Sequence, residues 1–202
     1  MSLPACETPS ATDSAARRIC ATGFFASASF LLMGLSVANP FAPYLKYEPS
    51  DVAAVMAALY LGPASGVLVV ALRNLLRMTL VNPDLVGLTM NLLASGTYVW
   101  LVGTALGRRS GVRVLWPLAV ATVGQMLAMF FANLLVLPLY LGVSVRHILP
   151  VLVGTVMPFN LVKGIANSIL VALLHRHLFP PRPDKPTLVR LTPVEGPVAS
   201  RR

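Results

Sequence analysis

The side chain with the clearest chemical potential in this sequence is Lys163, a lone cation inside an apolar stretch. Asn160 lies three positions before it and Asn167 four positions after it, so a helix would place all three side chains on one face. An ionisable side chain inside a membrane helix costs at least about 2.5 kcal/mol on insertion scales, and such residues usually face a water-filled cavity or a partner. This stripe is therefore the first candidate for a ligand site.

Further amide side chains lie in the apolar stretches that precede this stripe. They are Asn91, Gln125 and Asn133. An amide both donates and accepts hydrogen bonds, so several amides around one lysine suit a neutral ligand with hydroxyl or amide groups. The other interpretation is that the amides only bind helices to one another, at about 0.6 to 2 kcal/mol per interhelical hydrogen bond. We expect ligand contact for Asn133, Asn160 and Lys163, and for Gln125 and Asn167 both interpretations stay open.

The composition of the chain is typical of a membrane protein. The chain has 202 residues, of which 56% are hydrophobic and 11% charged, with a mean hydropathy of +0.74. An ordinary soluble domain carries about 25% charged residues. Long stretches contain no Asp, Glu, Lys or Arg, and uncharged apolar runs of about 20 residues are typical of helices that cross a membrane. The composition therefore predicts an all-α integral membrane protein.

Dividing the apolar runs at turn signals predicts six transmembrane helices. Their bounds are roughly residues 17–37, 51–62, 64–80, 82–107, 114–141 and 158–178, with an apolar approach segment at 147–157. The second helix, for which Asp51 is a suitable N-cap, has about a dozen residues and is too short to cross the bilayer without tilt or cover from its neighbours. Residues 17–178 are thus expected to form the membrane domain, between a cytoplasmic leader at 1–16 and a proline-rich, disordered cytoplasmic tail at 179–202.

Basic residues mark one side of this six-helix arrangement. They lie before the first helix, in the loop between the fourth and fifth helices, and after the sixth. The positive-inside rule makes that side, and with it both termini, cytoplasmic. Asn133 then lies near the outer end of the fifth helix, and Lys163 lies roughly 7 to 8 Å inside the outer start of the sixth at Pro158. An outward-facing ligand pocket can therefore reach both side chains.

Two arginines fit this orientation less well. Arg73 and Arg77 lie toward the outer half of the third helix. They can extend toward the outer surface or pair with Asp84 or Glu48, and the sequence does not choose between these arrangements.

The sequence contains few residues in positions where they could act in catalysis. No acidic residue lies in the middle of a predicted span, which leaves no paired carboxylates for acid–base catalysis inside the bilayer. There is no G-x-x-x-x-G-K-S/T motif, so this chain does not bind ATP through a P-loop. Cys6 and Cys20 lack metal-site spacing and are expected to be free thiols, and the net charge of +9 reflects basic helix ends next to anionic lipid and needs no nucleic acid. We therefore expect no catalytic residue, no metal and no cofactor, and an intramembrane enzyme is the least favoured class.

Two segments are distinctive when they are taken together. They are Tyr-Leu-Lys-Tyr-Glu-Pro-Ser-Asp-Val at 44–52 and Pro-Phe-Asn-Leu-Val-Lys-Gly at 158–164. Shorter matches fall between them in order, at 61–63 with Gly66, at 73–76, at Asn91, and at Asn133 before 137–140. With these segments the chain, over about residues 19–178, resembles the riboflavin-specific S component of energy-coupling factor (ECF) vitamin transporters.

The resemblance implies a six-helix subunit of a bacterial plasma membrane that captures riboflavin from outside with high affinity. It implies ligand contacts at Tyr44, Leu45, Asn91, Asn133, Asn160 and Lys163. Flavin mononucleotide (FMN) or a related flavin could occupy the same kind of pocket, and any such flavin would be a transported ligand and not a cofactor. Members of the family work with a transmembrane scaffold subunit and two ATPases, which agrees with the missing P-loop. The loaded S component is thought to topple in the membrane to release the vitamin inside.

One departure from the family pattern concerns the first helix, where relatives usually carry Ala-x-x-x-Ala against the scaffold subunit. Gly23 and Ser27 occupy the corresponding positions here, and both are small enough to permit close approach of another helix. Ala53 stands where relatives often have proline, which slightly weakens the start of the second helix. Neither departure removes a predicted ligand contact.

The alternative from a different class is a membrane structural or assembly protein whose buried amides only hold helices together. Such a protein would be purified without a ligand, whereas a flavin-binding subunit would be yellow. The colour of the purified protein therefore separates the two hypotheses.

Overall fold

The computed structural model describes residues 11–39, 42–81, 83–106 and 114–178. In chain order its helices are α1 (Ala11–Met33), α2 (Ser50–Leu61), α3 (Pro63–Leu80), α4 (Leu85–Leu106), α5 (Leu115–Leu141), α6 (Val145–Val151) and α7 (Met157–Leu178). The second to fifth helices agree with the predicted bounds within a few residues, whereas α1 begins at Ala11, inside the segment expected to be a leader. The expectations for residues 1–10, for the basic loop at 107–113 and for the tail at 179–202 fall outside the described residues and stay predictions.

A short antiparallel ribbon follows α1, where the sequence predicts only a loop. It consists of β1 (Val37–Asn39) and β2 (Ala42–Tyr47), in which Val37 pairs with Tyr47. The remaining regular structure in the described ranges is helical, in agreement with the predicted class. Because β2 leads through two residues into α2, the position of the ribbon is tied to the start of that helix.

The short helix α2 is enclosed by its neighbours. It has 12 residues, and its side chains from Ser50 to Leu59 are all buried. It packs against α1, α3 and α4, as its length requires. The turn into α3 depends on Gly62, whose φ of 102° suits glycine, and on Pro63 at the first helical position, where a missing N–H does no harm.

Three helical stretches in the described part of the chain are long and apolar enough to cross a membrane. They are Leu85–Leu106, Leu115–Tyr140 and Val145–Leu178. α2 is too short to meet the same test, and α3 contains Arg73 and Arg77, which lower its hydropathy. Both arginines pair with carboxylates of other segments of the protein.

The last helix is longer than the sequence predicts. α6, a π-helical segment (Leu152–Val156) and α7 form one uninterrupted stretch of 34 residues, Val145–Leu178. The predicted span 158–178 agrees with α7 within one residue, and the apolar approach segment before it is itself helical. Pro150 and Pro158 cannot donate to the α-helical ladder, and the wider π turn lies between them. Asn160 lies in the first turn of α7, which follows the π turn.

Close packing of α2 with α3 and α4 depends on two glycines. A Cβ atom at Gly66 would lie 2.6 Å from Ala58 Cβ and 2.7 Å from Val99 Cγ1. A Cβ atom at Gly103 would lie 2.9 Å from the same Ala58 Cβ. Small residues at these positions let the backbones approach closely, which is a common basis of helix association in membranes.

Gly66→Ala is expected to destabilise the protein by about 1 to 3 kcal/mol, because the added methyl group overlaps side chains of both adjacent helices. The measurement is the thermal unfolding midpoint of the purified protein in detergent. Gly23→Ala is the matched control, since a Cβ atom there meets nothing within 4 Å. Equal midpoints for the two variants would contradict the close packing described here.

Candidate functional site

A carboxylate without access to solvent lies at the centre of the polar residues. The side chain of Asp51, in the first turn of α2, is completely buried. Arg73 Nη2 on α3 donates a hydrogen bond to its Oδ1 at 2.5 Å. Asn167 Nδ2 on α7 donates to its Oδ2 at 2.8 Å, and Lys163 Nζ lies 3.6 Å from the same oxygen. One carboxylate thus links α2, α3 and α7 and faces two cations.

Arg73 forms the tighter side of this arrangement. Its side chain is fully buried, and its Nη1 donates to Ser50 Oγ at 2.8 Å and to Ser29 Oγ at 3.2 Å. Ser29 Oγ in turn donates to the backbone oxygen of Ser50 at 2.8 Å, which connects α1 to the same group of contacts. The expectation that Arg73 extends outward or pairs with Asp84 or Glu48 is therefore wrong, because a carboxylate of α2 compensates its charge inside the protein.

Arg77, one turn further along α3, has a separate partner. Its Nη1 donates to Oε1 of Glu48, which lies between the ribbon and α2. The Arg77 side chain is 22% exposed and that of Glu48 is 7% exposed. This pairing is one of the arrangements that the sequence left open, and it joins α3 to the segment that follows the ribbon.

The predicted N-cap role of Asp51 is wrong. α2 begins at Ser50 without a side-chain cap hydrogen bond, and the Asp51 carboxylate faces Arg73 instead. The sequence does contain a signal for this ion pair, because Asp51 and Arg73 lie at the two ends of an uncharged apolar run at 52–72. Lone charges of opposite sign at membrane depth require one another.

Lys163 is held less tightly than Arg73. Its side chain is 8% exposed, and besides the contact with Asp51 its Nζ lies 3.5 Å from Asn91 Oδ1 on α4. Ser95 Oγ donates to the same amide oxygen at 3.0 Å. Two predicted ligand contacts, Lys163 and Asn91, therefore lie together. We call Asp51, Arg73, Asn91, Lys163 and Asn167 the polar cluster.

Asn133 and Asn160 are buried amides that do not hold helices together in the described part of the chain. Asn133 Nδ2 donates to the backbone oxygen of Met129, and Asn160 Nδ2 donates to that of Val156, each at 2.8 Å and one turn earlier on its own helix. Their exposed fractions are only 7% and 3%. No hydrogen bond within the described ranges joins either amide to another helix. Helix association therefore does not account for their presence.

Gln125 is a further buried amide, two turns before Asn133 on the same face of α5. Its side chain has no exposed surface, and neither amide atom has a hydrogen-bond partner among the described residues. An amide buried in this way costs about 1 to 3 kcal/mol. The interpretation that Gln125 binds helices together has no support in these contacts, whereas Asn167 does bond across helices.

The ribbon reaches the polar cluster through Tyr47, which is not among the predicted site residues. Tyr47 Oη donates to Asn167 Oδ1 at 3.2 Å. Burial, and secondly the charge of Asp51, raise the pKa of the Tyr47 phenol, so it keeps its proton and stays a donor. Of the predicted ribbon contacts, Leu45 is partly buried, and the side chain of Tyr44 falls outside the described residues.

A separate cavity of about 610 Å³ lies between α5 and α7. Its lining is apolar apart from Thr122, Ser168 and Arg176. Arg176 belongs to the last turn of α7, which the positive-inside rule places at the cytoplasmic side. None of the predicted ligand contacts lines this cavity, so it is distinct from the site around Lys163.

The small residues of α1 lie on an open surface. Gly23 and Ser27 are exposed, and a Cβ atom at Gly23 would meet nothing within 4 Å. Ser27 Oγ donates to the backbone oxygen of Gly23 at 3.0 Å, so its hydroxyl group is satisfied within the helix. This face of α1 can therefore accept another helix without leaving a polar group unpaired.

Known proteins resemble this chain over most of its length. The family described as "ECF transporter, substrate-specific component" matches residues 17–175. The "Riboflavin transporter RibU" of Staphylococcus aureus (strain TCH60) is 30% identical over 171 residues, covering 80% of this chain and 90% of that protein. The "Riboflavin transporter FmnP" of Bacillus subtilis (strain 168) is 28% identical over 180 residues, covering 81% of this chain and 93% of that protein.

A solved structure has the same fold. It is described as "Structure and mechanism of the S component of a bacterial ECF transporter". It superposes with a TM-score of 0.71 at 29% sequence identity, covering 80% of this chain and 95% of the solved one. The similarity therefore extends over nearly the whole of that solved chain.

Arg73→Met is expected to destabilise the protein by about 3 to 5 kcal/mol, because it removes one partner of a buried ion pair. Arg77→Met, the same substitution one turn away, is expected to cost less, because the Arg77 side chain is 22% exposed whereas the Asp51–Arg73 pair is fully buried. Thermal unfolding midpoints of both variants provide the comparison. A smaller loss for Arg73→Met than for Arg77→Met would contradict the central role of the Asp51 carboxylate.

Proposed function

The chain belongs to the substrate-specific (S) components of ECF transporters, and from this membership we propose that it captures riboflavin outside the cell for uptake. As such a component it is an integral protein of the bacterial plasma membrane and not an enzyme. Its transport function also removes the alternative of a purely structural membrane protein. Riboflavin is the proposed ligand because both relatives reported above are named riboflavin transporters.

The main structural support for this proposal comes from two buried amides. Asn133 and Asn160 are almost fully buried, yet their amide groups bond only to their own helices. Lys163 lies at the long distances of 3.5 and 3.6 Å from its two partners. Buried polar groups of this kind fit a ligand with carbonyl, imide and hydroxyl groups, which riboflavin carries.

We assign the remaining contacts as follows. Asn91 accepts from Ser95 and faces Lys163, so it orients the ammonium group from the side of α4. Tyr44 and Leu45 on β2 supply aromatic and apolar surface suited to the flat flavin ring. FMN shares this ring and is the second candidate ligand, so both flavins belong in the binding test.

We also propose the partners that uptake requires. The sequence contains no P-loop, so two ATPase subunits would supply the energy through a transmembrane scaffold subunit. The exposed face around Gly23 and Ser27 on α1 is the proposed contact with that scaffold, because small residues permit close helix approach. The flavin is then transported cargo and not a cofactor.

Lys163→Ala is expected to weaken riboflavin binding by about tenfold or more, the cost of a lost charge-assisted hydrogen bond. Asn160→Ala is expected to weaken it by about threefold or more, because a neutral hydrogen bond is lost. Binding is measured by quenching of flavin fluorescence with the purified full chain, and FMN is titrated in parallel. Arg146→Ala, which removes an exposed cation from α6, is the control and should bind as the wild type does. Wild-type affinity in both site variants would remove the site assignment.

Gly23→Leu with Ser27→Leu is expected to abolish co-purification with the scaffold and ATPase subunits while riboflavin binding by the isolated chain stays unchanged. The reason is that two bulky side chains would separate α1 from a partner helix. Ala105→Leu, on an exposed position of α4, is the control and should assemble normally. Normal assembly of the double variant would exclude this face of α1 as the contact.

A further inference from the structure

The two cations of the polar cluster engage Asp51 in different ways. Arg73 Nη2 lies 2.5 Å from the carboxylate, and its Nη1 is fixed by two serine hydroxyls at 2.8 and 3.2 Å. Lys163 Nζ lies 3.6 Å from the carboxylate and 3.5 Å from Asn91 Oδ1, longer than the roughly 2.7 to 2.9 Å of a tight charge-assisted bond. Arg73 therefore fixes the carboxylate, whereas Lys163 keeps the capacity to donate to a further acceptor.

We propose that Asp51 is a positioning residue of the ligand site, whose carboxylate holds the Lys163 ammonium group where the ligand's acceptor atom binds. Asp51 does not itself touch the ligand, because its side chain is completely buried and its two oxygens accept from Arg73 and Asn167. It acts through Lys163. The inference rests on the proposed function and adds the residue that determines how the site presents its lysine.

The charge balance of the polar cluster supports this role and restricts the class of ligand. Within the described residues one carboxylate faces two cations, while the nearby Glu48 is already paired with Arg77. One positive charge is therefore left without an anion of its own at membrane depth, where such a charge is costly. A neutral or anionic ligand that places carbonyl oxygens at Lys163 lowers this cost, whereas a cationic ligand raises it.

The geometry also connects the positioning residue to the ribbon. Asn167 donates to Asp51 Oδ2 with its amide nitrogen and accepts from Tyr47 with its amide oxygen. The carboxylate therefore lies at the end of a chain of hydrogen bonds that begins on the ribbon. Lys163 is fixed relative to the ribbon by these contacts, although it belongs to α7.

The test compares four forms of the full-length chain, purified in detergent. They are the wild type, K163M, D51N/R73M and D51N/R73M/K163M. The D51N/R73M change removes the carboxylate and the guanidinium group together, so the net charge of the polar cluster stays the same and no arginine is left unpaired. Riboflavin affinity of each form is measured by flavin fluorescence quenching.

The expected result is strong coupling between Asp51 and Lys163. D51N/R73M should weaken riboflavin binding by about tenfold or more when Lys163 is present, and by less than about twofold when Lys163 is already methionine. The visible absorption spectrum of the bound flavin gives a second readout. K163M and D51N/R73M should displace this spectrum from that of the wild type in the same way, whereas a purely structural change would leave it unaltered.

Three results would overturn the proposal. D51N/R73M could bind riboflavin as tightly as the wild type, or it could lose the same factor with and without Lys163. It could also fail to accumulate as a folded protein even with riboflavin present, which would assign Asp51 to the fold and not to the site. Failure of the proposed function is a distinct result, since the unaltered wild type itself would then bind no riboflavin.

Discussion

A carboxylate at membrane depth requires positive charge beside it, and this requirement organises the structure around Asp51. The completely buried side chain brings Arg73 of α3 and Lys163 of α7 to the first turn of α2. Ser29 adds α1 through its bonds to Arg73 and Ser50. Breaking one partner of such a pair leaves an uncompensated buried charge, which costs far more than the pair itself contributes. The Asp51 side chain therefore connects α2, α3 and α7, and α1 joins them through Arg73 and Ser50.

Four amide side chains of the described helices divide into two groups. Asn91 and Asn167 make hydrogen bonds across helices and extend the polar cluster to α4 and to the ribbon. Asn133 and Asn160 bond only to their own helices. The first group explains how Lys163 is held in place, and the second provides polar groups that the fold does not use. A binding subunit needs both, a rigid support and a set of groups kept for the ligand.

The sequence alone predicts the helices and the Lys163 stripe, because hydrophobic runs and helical spacing are local properties. It does not predict the pairing of Asp51 with Arg73, since that contact depends on how two helices with a tight turn at Gly62 pack together. The ribbon was missed because its strands are short and lack an alternating apolar pattern. Pro158 suits either the first turn of a helix or a kink in a longer one, so the sequence leaves the extension before it open, and in the structure a π turn precedes the proline.

The π turn also sets the rotational phase of the site. Buried residues recur at every fourth position through Ile148, Leu152, Val156 and Asn160. The π turn holds one residue more than an α-helical turn, so the residues on its two sides keep the relative phase that a helix one residue shorter would give them. Loss of one residue there would restore the ordinary α-helical turn and leave Lys163 near its present phase, whereas an added residue that the turn did not absorb would rotate it by about 100°. The stretch between Pro150 and Pro158 therefore tolerates the loss of one residue better than the gain of one, although neither change alters a side chain of the site.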